Sequence, residues 1–330
     1  MEKKVRVGIV GLGDHCCKSH IQYLIKNELC VVTAICDINP KAVEDICKEF
    51  NLTDVKSFNT AEELIKDNTC VDAVMIMTPD KFHLEQLEMC VNHMKHVFCE
   101  KPLALNKSEY HRLEIALEKA EKWNLIVTTC HPRRFDTPFE VVRKFISNGH
   151  IFGTPLPGKV LNFEFYFHYS QPSKTGLHPS LMYDHLNHEV DAMHYLFGTG
   201  HIKHAVKHYD SETSFHVTGL RNDGISFSFI GQRKMDDPET YPEYMKINFE
   251  GGSLLIDLYK GEATLLSGKS YTTWYDPAKY KTDYAKRFTA INRNFLESIL
   301  GTAKPYLTAE EMLINTKLAI DLNTKTFVEY

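Results

Sequence analysis

Two groups of residues have the types and spacing to do chemistry. The first is the run Gly8-Ile9-Val10-Gly11-Leu12-Gly13-Asp14-His15-Cys16, which follows an apolar stretch beginning at Val5. Gly11 and Gly13 match the first two glycines of a G-x-G-x-x-G turn. There, small residues let backbone N–H groups approach a pyrophosphate, and the next helix N-terminus favours its charge. The third glycine is absent, and Cys16 or Cys17 stands in its place. Asp37 ends a second apolar stretch at a separation of ~20 residues, where an acidic side chain reaches a ribose 2'-hydroxyl. The expected dinucleotide contacts at this end are Gly11, Leu12, Gly13, Asp14, His15, Asp37 and Ile38. A carboxylate at Asp37 repels a 2'-phosphate, and residues 38–42 hold no arginine, so NAD is favoured while Lys41 leaves NADP open.

The second group is Lys101, between Glu100 and Pro102, with Asp184, His188 and Asp191 far downstream. A helix over 180–197 ended by Gly198 puts Leu186, Val190, Met193 and Phe197 on one stripe and Asp184, His188 and Asp191 on a roughly opposite face. Oxidising a secondary alcohol needs a base for the hydroxyl proton, and a histidine with an ordinary pKa of ~6.5 suits it. An ammonium stabilises the developing alkoxide, a neighbouring carboxylate orients either group, and the lysine and histidine roles are interchangeable. Each residue also has a plainer reading: a solvated turn lysine, a structural Asp/His hydrogen bond, and an Asp191 that anchors its helix. Arg133, Arg134, Tyr166, His168, Tyr169 and Tyr183 are candidate substrate contacts, against ordinary packing roles. A metal is not expected, because His185 and His188 lie about 300° apart on a helix and Ile202 to Tyr209, with His204 and His208, reads as a strand.

Elements must position these groups. Short apolar runs at Val5–Val10, Val31–Cys36, Ala73–Met77, His96–Cys99 and Ile126–Cys130 alternate with helical periodicity at Lys41–Phe50, Ala61–Lys66, Phe82–Asn92 and Ser108–Trp123, the pattern of a doubly wound parallel sheet. After a helix near Pro138–Ser147, aromatic runs with period-two alternation and turns at Asn222-Asp223-Gly224 and Gly251-Gly252 predict an antiparallel sheet. Thr308 followed by Glu311 opens a helix expected to run on to Tyr330. The reading is α/β throughout, with a Rossmann domain over 1–130 and a second domain over 131–330.

With 330 residues, 43% hydrophobic and 25% charged, the chain has room for two ordinary globular domains. A formal charge of -5, without a basic aromatic cluster, points away from nucleic acid. Met1 to Arg6 has no secretory h-region, and no apolar run nears the ~20 residues that span a bilayer, so a cytoplasmic protein with a small-molecule partner is expected. All nine cysteines precede residue 131 without Cys-x-x-Cys spacing, which fits reduced, mostly buried thiols.

Several motifs in one order resemble the Gfo/Idh/MocA oxidoreductase family: the glycine turn with His20, Thr78-Pro79 with His83, and His96-Val97-Phe98-Cys99-Glu100-Lys101-Pro102-Leu103. Asp184, His188 and Asp191, then Gly251-Gly252-Ser253-Leu254 and the run from Phe295 through Pro305 to Glu311, continue it. The resemblance implies a Rossmann domain followed by a domain with a large open sheet that supports a homodimer or homotetramer, with substrate held between the domains. It implies oxidation or reduction, with a nicotinamide cofactor, of a carbon of a sugar, cyclitol or related polyhydroxylated molecule. Lys101 and His188 would be catalytic with Asp184 beside them, all three touching substrate, and Thr78, Pro79, His83, Glu100 and Lys101 would line the nicotinamide half. A cis Lys101–Pro102 bond is a further implication. NAD-dependent glycoside hydrolysis and a non-catalytic nicotinamide-binding sensor are the alternatives. The chain departs from the pattern at the third glycine, in one extra residue before His20, at Leu186 and at Met94.

Overall fold

The computed structural model describes residues 4–169, 180–233 and 243–330. The chain divides into two compact units, Met1–Pro132 with Ala285–Thr316, and Arg133–Tyr284 with Lys317–Tyr330.

In the first unit, β1 (Val5–Val10), β2 (Cys30–Cys36), β3 (Lys56–Phe58), β4 (Ala73–Ile76), β5 (His96–Cys99) and β6 (Val127–Thr129) form a parallel sheet in the order β3-β2-β1-β4-β5-β6. This is the doubly wound order, with its reversal between β1 and β4. β4 is buried at every position, as a parallel strand covered on both faces must be. The connecting helices begin where local chemistry starts them. Asn39 caps Pro40–Glu49, Thr60 and Glu63 form a capping box on Ala61–Lys66, and Asn106 accepts from Glu109 N ahead of Lys107–Lys122. The helical run over 14–24 has a π-helical middle, Cys17–Ile21. A π turn holds one residue more than an α turn, which accommodates the extra residue before His20. Helix Tyr284–Ile299, far along the chain, supplies buried Phe288, Ile291, Asn292 and Phe295 to this unit.

The second unit carries a small hairpin of β7 (His150–Ile151) and β8 (Thr154–Pro155) and a nine-stranded sheet. Its strands are β9 (Val160–Tyr169), β10 (Ile202–Asp210), β11 (Ser214–Arg221), β12 (Ser226–Arg233), β13 (Tyr244–Phe249), β14 (Gly252–Asp257), β15 (Glu262–Ser267), β16 (Ser270–Tyr275) and β17 (Phe327–Glu329). The order is β16-β15-β14-β13-β9-β12-β11-β10-β17, antiparallel except where β12 lies parallel to β9. Alternation sends Phe163, Phe165, Phe215, Phe227, Phe229, Met245 and Ile247 inward at no more than 1% exposure, each contributing roughly 1.5–3 kcal/mol by burial. Helix Leu181–Phe197 packs on this face through Leu186, Val190 and Met193. The chain end corrects an expectation: the helix opened by Thr308 stops at Thr324, and Phe327–Glu329 becomes an edge strand on β10. The free backbone edge of β10 gives those residues pairing that a continued helix would forgo.

Candidate active site

The carboxyl edge of the parallel sheet gathers the first group together with Lys101 of the second. β1 delivers the glycine turn, β2 Asp37, β4 Thr78, β5 Glu100 and Lys101, and β6 Cys130. Gly11 has φ +91, and a Cβ there would lie 2.7 Å from the carbonyl carbon and oxygen of Met77, so only glycine fits. Its N–H donates to Cys36 O at 2.8 Å, and Leu12 N–H donates to Asp37 Oδ2 at 2.7 Å. Asp37 therefore clasps the turn while its other oxygen accepts from Asn39 N at 2.8 Å, and a carboxylate retains further lone pairs for a hydroxyl. Gly13 is the N-cap of the helical run that begins with Asp14 and His15, and a Cβ on it would meet nothing within 4 Å. Open space over backbone at a helix N-terminus is the cradle a pyrophosphate needs, so these residues fit a dinucleotide. Ile38 is almost fully exposed beside Asp37, and the Lys41 ammonium is paired with both oxygens of Asp45 at 2.9 Å.

Thr78 Oγ1 donates to Gln86 Oε1 at 2.8 Å, and Pro79 caps the turn Asp80–Phe82. Buried His83 reaches Thr78 O at 2.7 Å and Pro102 O at 2.8 Å, stapling the segment after β4 to the one after β5. The Lys101–Pro102 bond is cis. Glu100 is buried, and its Oε1 lies 3.0 Å from Nε2 of both His15 and His20. Burial pushes this carboxyl up, but the charge and hydrogen bonds of the two histidines outweigh it and hold Glu100 well below the usual carboxylate range. Lys101 is half-buried and its N–H donates to Glu100 Oε2 at 3.3 Å.

In the second unit, Ser180 caps helix Leu181–Phe197, accepting from Tyr183 N at 3.0 Å and donating to Asp210 Oδ2 at 2.6 Å. Asp184, His185 and His188 are the half-buried positions of its first two turns. Asp184 Oδ2 is 3.2 Å from His185 Nε2, and the rings of His185 and His188 are 6.0 Å apart. This corrects the angular reading of the two histidines, since 300° one way is 60° the other and they share a face. Asp191 does not share it: buried, it pairs with Arg134 through contacts of 2.7 and 3.0 Å and anchors the helix.

Arg133 is buried over the Phe167 ring, 3.7 Å from its centroid, with Glu189 at 3.7 Å, contacts that belong to the packing of this unit. Tyr183 is 1% exposed, whereas Tyr166 lies on the outer sheet face, stacked on Tyr244 and bonded to Gln232. Tyr169 ends β9, and its side chain lies outside the described residues. Sequence reasoning missed Asn292, which fixes His20, and gave Cys130 no role at the site. No local pattern links Asn292 to position 20, and only His20, quoted with the turn, carried a signal.

Residues 5–129 match a family model described as an oxidoreductase family with an NAD-binding Rossmann fold. Myo-inositol 2-dehydrogenase of Thermotoga maritima is 31% identical over 147 residues, 44% of this chain and 42% of that protein. Inositol 2-dehydrogenase of Salmonella paratyphi B is 30% identical over 220 residues, 66% of this chain and 61% of that protein. The chain thus spans less than two thirds of the length of these curated relatives. The apo scyllo-inositol dehydrogenase structure from Lactobacillus casei covers 99% of this chain and 98% of its own at 21% identity, with a TM-score of 0.78, a likeness of fold. Among the described residues, no helix is long and apolar enough to cross a membrane.

Proposed function

Because this chain belongs to the Gfo/Idh/MocA oxidoreductase family, we propose that it oxidises or reduces a hydroxyl-bearing carbon of a sugar, cyclitol or related small molecule with NAD. The observation that carries the reading is the placement of Lys101, directly after β5 at the same sheet edge as the clasped glycine turn and Thr78. NAD, when bound, supplies the acceptor or donor of hydride. Gly11, Leu12, Gly13, Asp14, His15, Asp37 and Ile38 would hold its adenosine and pyrophosphate portion, and Thr78, Pro79, His83 and Glu100 the nicotinamide half. His188 takes or returns the hydroxyl proton, and the Lys101 ammonium holds the oxygen as charge develops on it. Asp184, four residues before His188 on the same helix face, orients that imidazole. NAD rather than NADP is supported by the Asp37 carboxylate and by the engagement of Lys41 with Asp45. Cyclitols head the substrate class because the two curated relatives are named inositol dehydrogenases.

The test is a panel of cyclitols, sugars and sugar acids with NAD and NADP in parallel, followed by NADH absorbance. Net reduction of NAD by a member of the panel is expected. Glycoside cleavage without net NADH, or binding of NADH with no turnover on the whole panel, would overturn it. Self-association through the outer face of the nine-stranded sheet, where Leu255, Leu266, Tyr271 and Tyr275 are exposed, completes the proposal, and sedimentation checks it.

A further inference from the structure

We propose that His15, His20, Glu100 and Cys130 together form a binding site for one zinc-type divalent metal ion. Their ligand atoms, two imidazole nitrogens, a carboxylate oxygen and a thiol sulfur, all lie within 4.8 Å of one another. Tetrahedral zinc with its usual bond lengths spaces such donors at roughly 3.3–3.7 Å, so small side-chain movements close the set. The histidines of the second unit, from which sequence reasoning expected no metal, are not part of this set.

The hydrogen bonds around His20 show which nitrogen is available. Asn292 Nδ2 donates to Phe288 O at 2.8 Å and to Ser19 O at 3.3 Å, which fixes its amide so that Oδ1 faces His20 Nδ1 at 2.9 Å. Oδ1 only accepts, so His20 Nδ1 carries the proton. Nε2 therefore faces Glu100 Oε1 at 3.0 Å either as a lone pair or with a second proton shared between the two groups. A cation binds that lone pair directly or replaces that proton. His15 is likewise held through both ring nitrogens, with Nδ1 3.2 Å from Ser19 Oγ, a hydroxyl that can donate or accept, and Nε2 3.0 Å from Glu100 Oε1. Ligand histidines held through their other ring nitrogen are the usual supporting shell of a metal site.

The surroundings agree with a closed site. The His20 ring is edge-on to Phe98 and Phe288 with centroids 5.2 and 5.4 Å away, an apolar wall that excludes water. The His15 side chain is 53% exposed and provides the way in. Cys130 is 2% exposed beside the Glu100 carboxylate, and a divalent cation that binds its sulfur as the thiolate brings the compensating positive charge. On binding, the thiol proton and any second proton held between His20 and Glu100 leave to solvent, and two anionic ligands neutralise the ion.

The test uses the full chain stripped of metal, with no nucleotide or substrate, so it stands apart from the dehydrogenase reading. Titration with cobalt(II) should saturate at one ion per chain with a thiolate-to-cobalt charge-transfer band and tetrahedral d–d absorption, both abolished by added zinc(II). Cys130→Ser should lose the charge-transfer band, and Asn292→Ala should weaken binding about 10–100-fold. Melting curves and circular dichroism identify the variants that fold. No stoichiometric binding by the parent chain, or a thiolate band that survives in folded Cys130→Ser, overturns the proposal.

Discussion

Glu100 and Asp184 are both carboxylates next to two histidines, yet they are assembled by opposite routes. Glu100 draws on residues 15, 20 and 130, with Asn292 behind His20, so it exists only when strands, a π turn and a distant helix have come together. Asp184, His185 and His188 are neighbours within two turns of one helix, capped by its own Ser180. Glu100, His20 and Cys130 in the first arrangement are buried and fastened on several sides, with His15 alone exposed, while the second arrangement is half-buried and shares a face. The difference teaches that the long-range set has a structural stake in its unit, whereas the local set is presented from a scaffold that other residues hold. Substitutions should therefore separate function from folding on the helix.

The largest effect tests that separation. His188→Ala should lower kcat about 10²–10⁴-fold, the range for loss of a general base. Its unfolding free energy should stay within about 0.5 kcal/mol of the parent, because the side chain is half-buried on a helix held by other contacts. Steady-state kinetics beside chemical denaturation decide it. A variant that keeps its activity while losing stability would erase the contrast with Glu100.

Asp191, on the same helix, marks the other side of the comparison because its partner Arg134 lies 57 residues away and both are buried. Asp191→Asn leaves an uncompensated guanidinium and should cost about 3–5 kcal/mol of stability. Urea unfolding measures the loss, and an unchanged midpoint would show that the pair is dispensable.

How much was legible in the sequence follows the same division. Glycine spacing, capping residues and apolar periodicity are local, so the turn, most of the parallel strands and helix Leu181–Phe197 could be read directly. The angular relation of His185 and His188 was in the sequence too, but was misread. The roles of Asn292, Arg133 and the terminal strand Phe327–Glu329 depend on partners far along the chain, and no single-chain pattern encodes those pairings. The short strands β14 to β16 were likewise passed over, since each gains its stability from neighbours across the ladder.

Gly11→Ala gives a smaller effect that spans both categories. The glycine is visible locally, but its necessity comes from the Met77 backbone after β4. The added methyl should cost about 1–3 kcal/mol and weaken NADH binding as the turn shifts away from its clasp on Asp37. Fluorescence titration with NADH and a melting curve measure the two losses. Unaltered affinity would mean that the turn tolerates displacement and that the fit argued from it is too strict.

The smallest expected effect belongs to a purely local pair, Arg221 and Asp223 at the turn between β11 and β12, joined by contacts of 2.6 and 3.1 Å. Arg221 is 2% exposed and Asp223 is 44% exposed, so solvent screens the attraction from one side. Burial raises the Asp223 carboxyl, but the Arg221 hydrogen bond and charge, with the Ile225 N–H, outweigh it and leave it below the ordinary range. A depressed folded pKa stabilises the fold above the unfolded value of ~3.9 and loses that contribution as pH falls from there through the folded value. Asp223→Asn should thus melt slightly below the parent at neutral pH, and the gap should close below pH ~4 as the parent's carboxylate takes up its proton. A gap that widens in acid would mean that the carboxylate is not the stabilising form. Even a two-residue constellation would then owe its energetics to the sheet around Arg221, and construction by neighbours in sequence would no longer imply independence from the fold.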